Sequence, residues 1–158
     1  MAVTDRDNGM QRLLAEVRQL EASLPDVTVG IHGAEGGSAP YPDGESIADI
    51  AETHEFGLGV PQRSFIRAWF DEVGEARFVK AISAEVEAAL AARTSALAAM
   101  RRVALTFQAD IQDRISAGID PPNAPSTIAR KGGFDTPLVH RGHLKAAVIA
   151  KVGGTKVG

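Results

Sequence analysis

Cysteine is missing altogether from the 158 residues, which excludes disulfides and thiolate-bound metals as sources of stability. Aromatic residues are scarce at 5%, so a core must be built mainly from Ala, Val, Leu and Ile. A chain of this length suits one domain and buries roughly 70% of its unfolded surface. No apolar run approaches the roughly 18 residues of a membrane span. Residues 1–9 lack the basic and apolar regions of a signal peptide, so neither membrane insertion nor a secretion signal is expected.

The usual arrangements of catalytic residues are also missing. His54-Glu55 does not extend to H-E-x-x-H, because position 58 is Leu, and the metalloprotease reading falls with it. Gly36-Gly37-Ser38-Ala39-Pro40 lacks the closing glycine of a nucleophile elbow. Gly30, Gly33 and Gly36-Gly37 do not have the spacing of a dinucleotide fingerprint, and no P-loop lysine follows. His140 and His143 form an H-x-x-H pair, but zinc needs three or four ligands, and the neighbouring Arg141 and Lys145 disfavour a cation. No metal, no cofactor and no enzymatic activity are expected. With a pI near 5.8 and no helix-turn-helix, zinc or aromatic-platform signature, sequence-specific nucleic-acid recognition is not expected either. Non-specific contact between a basic loop and a DNA backbone needs only positive charge and stays open.

Hydrophobic periodicity organises what is present. Leu13, Leu14, Val17, Leu20 and Leu24 recur at helical spacing, with Thr4 or Asp5 as a possible cap and Pro25 as the stop. Val27–Ile31 alternates as a short strand. Gly33–Gly44 is a Gly-, Pro- and Ser-rich loop. A short helix is predicted over Ser46–Glu55, stopped by Gly57. From Phe65 to Gly118 the spacing predicts two Ala-rich helices broken near Arg93–Ser95. Leu97, Met100, Ala104, Phe107, Ile111 and Ile115 form the stripe of the second. Residues 119–142 are rich in Pro and Gly, with one helical turn near Ser126–Arg130. Leu144–Val152 reads as a helical turn leading into a strand, which pairs with Val27–Ile31 because a lone strand is unstable. The class is α+β: one domain over 1–158, mostly helical with a small antiparallel sheet and long ordered loops, an N-terminal helix within 1–25 and a mobile tail at 153–158.

The net charge of −3 conceals an asymmetry. Residues 1–60 carry three Lys or Arg against eleven Asp or Glu, whereas residues 61–158 carry fourteen against nine. Such a split can orient like subunits, because opposite charges attract across an interface.

Three segments share a resemblance. Glu52-Thr53-His54-Glu55-Phe56-Gly57, followed by Val60-Pro61-Gln62-Arg63-Ser64-Phe65-Ile66-Arg67, resembles the E-F/Y-G … P-x-R-P/S-F-L/I-R segment of neck and tail-completion proteins of long-tailed bacteriophages and Mu-like prophages. The stretch from Pro122 to Gly132 resembles their P-x-x-P-S/A-T-I-x-x-K-G segment, and Asp135–Leu144 their P-L-I-D-T-G-x-L/M turn. One departure stands at that turn, where His140-Arg141 replaces the usual Asp-Thr.

The resemblance covers roughly residues 27–152. It implies a structural virion protein assembled in the host cytoplasm: a subunit, usually of a hexameric ring, that joins head to tail around the DNA channel. Its partners would be further copies of itself, the head–tail connector, and the tail terminator or tail-tube proteins. A tail-tube terminator is the nearest alternative, and a phage hydrolase a more distant one. Phe65, Ile66, Trp69, Pro122, Thr127, Ile128, Arg130, Lys131, Leu138 and Leu144 are the candidate contact residues, Phe65, Ile66 and Trp69 serving either core or subunit packing. Arg130, Lys131, Arg141 and Lys145 are the candidate charges toward a neighbour or DNA.

Overall fold

The structure is a computed structural model and describes residues 8–33, 44–91 and 94–158. It has the expected α+β architecture: helices α1 (Asn8–Ser23), α2 (Ile47–Phe56), α3 (Arg67–Trp69), α4 (Glu75–Leu90), α5 (Ala96–Ala117), α6 (Pro125–Arg130) and α7 (His143–Ala147), with strands β1 (Val27–Ile31), β2 (Val148–Val152) and β3 (Thr155–Val157). The proposed caps Thr4 and Asp5, most of the Gly33–Gly44 loop, and Arg93 lie outside the described residues.

Helix α5 is the axis of the molecule. Ser95 caps it by accepting a hydrogen bond from the Ala98 amide at 3.2 Å. Met100, Val103, Ala104, Phe107, Ile111 and Ile115 bury one face. Leu97, expected in this stripe, is exposed at the first turn, whereas Ala99 and Met100 beside it are buried. The sheet lies against α5. β1 pairs antiparallel with β2, Val27 opposite Val152 and Ile31 opposite Val148. Two glutamines of α5 reach across: Gln108 Oε1 accepts from the Ala150 amide at 2.8 Å, and Gln112 Nε2 donates to the Val148 carbonyl at 3.0 Å.

The expected free tail at 153–158 is corrected. Gly153 and Gly154 both take positive φ (56° and 75°) and turn the chain into β3, which pairs with β2. A Gly-Gly pair suits a two-residue hairpin, whose twist requires φ > 0 at both positions. Val157 returns to the core.

α3 continues through a π-helical segment, Phe70–Gly74, into α4. Gly74 is needed there, because a Cβ would lie 2.9 Å from the Phe70 ring. α4 and α5 run antiparallel. Ion pairs Glu72–Arg114, Arg77–Asp110 and Glu85–Arg102 cross between the π segment or α4 and α5, and their exposure limits each to a small contribution.

α2 begins at Ser46, whose Oγ accepts from the Ala48 amide, and ends at Gly57, in the left-handed region at φ 71°. That conformation suits glycine, and a Cβ at Gly57 would also sit 2.9 Å from the Gln62 Cβ. Gly57→Ala is therefore expected to cost about 1–3 kcal/mol, read as a lowered melting temperature in a thermal scan.

Candidate functional site

The connection between α2 and α3 is built around one buried carboxylate. Glu55 is 8% exposed. Its Oε1 accepts from Ser64 Oγ at 2.6 Å and from the Arg67 amide at 2.9 Å, and its Oε2 from the Phe65 and Ile66 amides at 2.9 and 3.2 Å. The side chain thus takes up amides that the start of α3 would otherwise leave unpaired. Ser64 Oγ in turn accepts from the Ala68 amide. Burial works to raise the Glu55 carboxyl's pKa, but the bonds from Ser64 and the Arg67, Phe65 and Ile66 amides outweigh it and hold the group below its ordinary value.

Within the α2–α3 connection, the Arg63 guanidinium does the opposite job. It is 6% exposed and donates through Nε to the Pro121 carbonyl at 2.8 Å and through Nη2 to the Pro122 carbonyl at 3.0 Å. This ties the first of the three resembling segments to the second. The second is tied to the third by Lys131 Nζ, which donates to the Thr136 carbonyl at 2.7 Å, and by Asn123 Nδ2, which donates to the Asp135 carbonyl at 2.6 Å.

All three segments border a single cavity of about 550 Å³. His54, Val60 and Arg63 come from the first, Pro122, Thr127, Arg130 and Lys131 from the second, and Leu138, His140 and Leu144 from the third. The lining joins apolar walls to three cationic side chains and includes no carboxylate. His54 Nδ1 is buried there without a hydrogen bond. Desolvation, with the nearby charges of Arg63 and Lys131, lowers the His54 pKa and favours the neutral imidazole. Burial and Arg63 likewise lower that of Lys131. The local field is therefore positive and suits an anionic group better than a cation. Among the described residues no group of three or more His, Cys, Asp or Glu is placed to hold a metal.

The expected contact residues divide into three sets. Phe65 (0% exposed) and Trp69 lie in the chain's own core, the first of the two roles expected for them, and Leu144 lies there as well, which corrects its assignment to a partner contact. Their size and apolarity fit the interior, where Trp69 packs against Phe107 with ring centroids 5.6 Å apart. Ile66, Thr127, Ile128, Lys131 and Leu138 are half-buried, whereas Pro122, Arg130 and Arg141 are exposed. Lys145 is held on Ser116 Oγ at 2.8 Å, away from the cavity lining. Leu138 adopts φ 61°, unusual for a residue with a Cβ, in the turn where the segment departs from the resembling pattern. α7, which follows that turn, starts at Gly142 with no side-chain cap. The roles of Glu55 and Arg63 were not anticipated, although both sit in the first resembling segment.

These features define a small α+β protein with an internally braced loop cluster. No protein-family model matches the chain, and neither a curated protein nor a solved structure matches it.

Proposed function

We propose that this chain is a structural virion protein of a tailed bacteriophage, a ring-forming neck or tail-completion subunit between head and tail around the DNA channel. The observation that carries the reading is the union of the three resembling segments. The first is far in sequence from the other two, which nearly adjoin, and Arg63, Asn123 and Lys131 bind all three into one unit around one cavity. The long 119–142 stretch is ordered by these bonds, as a loop of that length in a small domain requires, and it carries exposed positive charge at Arg130 and Arg141. In a ring of like subunits, contacts are head-to-tail and close by rotation, so a basic loop on one copy can meet acidic surface on the next.

Arg130 offers the cleaner test of this contact. Lys131 also holds the Thr136 carbonyl, so reversing its charge disturbs the loop itself. The Arg130 side chain is exposed, and no hydrogen bond or ion pair to it is found among the described residues. Arg130→Glu is expected to leave the stability unchanged to within about 0.5 kcal/mol while heads and tails accumulate unjoined in electron micrographs of lysates. Particles that join normally but lose or mis-eject DNA would place Arg130 on the channel instead. Particles that join and infect normally would remove it from both roles.

A further inference from the structure

Helix α1 leaves much of its apolar face uncovered. Toward the body of the protein, Glu16, Gln19 and Ser23 border a shallow cleft with Ala89 and Leu90 at the end of α4. Its apolar residues Met10, Leu13, Leu14 and Val17 lie about a third of a turn away and are 41–51% exposed. They follow the i, i+3, i+4, i+7 pattern by which a helix fills a groove. A 16-residue helix with so little packing is marginal by itself.

The same chain has an uncovered apolar groove of about 690 Å³. Val27 and Val29 of β1 form one wall, Phe70 and Phe78 the other, and Met100 and Phe107 the floor. The α1 of the same chain is poorly placed to fill it. The linker from α1 to β1 is three residues long, and Leu24 and Pro25 are themselves part of the groove's rim. The linker is pinned by the Leu24 amide on the Glu21 carbonyl and the Gly153 amide on the Asp26 carbonyl, and Pro25 keeps Leu24 from continuing the helix.

We propose that the apolar face of α1 docks in the β1–α4–α5 groove of a second copy of this chain, so that like subunits are held together by an exchanged N-terminal arm. The occupant has matching chemistry and is supplied in equal number with the groove. The contact would serve any assembly of like copies and does not depend on the neck reading.

The absence of native cysteine makes the test direct. Leu14→Cys is placed on a mass-tagged copy and Phe78→Cys on an untagged one, both at exposed positions, and the two proteins are mixed and oxidised. The expected product is a mixed disulfide of tagged with untagged chain, reversed by reductant and far more abundant than with Phe134→Cys, an exposed control on the loop after α6. A yield no greater than the control's overturns the proposal. So does a closed, monomeric disulfide in a chain carrying both Leu14→Cys and Phe78→Cys, which would mean that the arm folds into its own groove. Leu13→Asp with Leu14→Asp provides a second readout by sedimentation. Self-association should weaken about tenfold or more with the melting temperature unchanged, and undiminished self-association contradicts the exchange.

Discussion

Glu55→Ala is expected to destabilise the protein by about 3–5 kcal/mol, because it strands the Phe65, Ile66 and Arg67 amides and the Ser64 hydroxyl, and an unpaired buried polar group costs about 1–3 kcal/mol. Some of these groups are partly buried and can reach water, so the costs do not simply add. For a domain whose whole stability is about 5–15 kcal/mol, the loss is severe. Glu55→Gln keeps the shape and one acceptor but turns an NH₂ toward backbone donors, and should fall between Ala and the native residue. Urea unfolding followed through the fluorescence of Trp69, the only tryptophan, measures both. The same carboxylate gives a pH signature. Its folded pKa lies below its unfolded value, so its contribution is fully present above the unfolded carboxyl range near about 4.3 and is lost as pH falls through the folded value. The native protein should lose stability across that acid window, and Glu55→Gln should lose less. Equal acid sensitivity in the two would remove Glu55 from this role.

Phe65→Ala carries the other large effect. The ring is fully buried, and removing one of the few aromatic side chains leaves a cavity that Ala- and Val-rich surroundings fill poorly. The expected cost is about 3–5 kcal/mol. Phe65→Leu keeps most of the volume and should cost less than about 1.5 kcal/mol. The Phe65 amide is held by Glu55, so the two sites share one structural unit. Their double variant should be less destabilised than the sum of the single ones. Additive behaviour, or an unchanged midpoint for Phe65→Ala, would mean that the α2–α3 connection is not the brace described here.

Much of the fold was legible in the sequence because the responsible signals are local. Ser46 and Ser95 precede apolar-periodic stretches, and both cap helices. Alternation in Val27–Ile31 marked a strand whose natural partner was Val148–Val152. The β2–β3 hairpin was missed because β3 is three residues long and two of them, Thr155 and Lys156, are polar and exposed. The orientation of α1 was not legible, since periodicity shows that a helix has an apolar face but not what lies against it. The buried charges were the least accessible. Three of the four hydrogen bonds to the Glu55 carboxylate come from backbone amides, which have no residue identity to read, and the Arg63 guanidinium is hydrogen-bonded by carbonyls 58 and 59 residues away. A charged residue reads as surface until the fold supplies such partners.

The most direct measurement of the proposed role is electron microscopy of the assembled virion with a gold-labelled tag on this chain. The neck reading predicts label confined to the junction of head and tail, in a symmetric ring of density surrounding the DNA channel. Label along the tail tube or the capsid, or virions that lack the chain altogether, would contradict it.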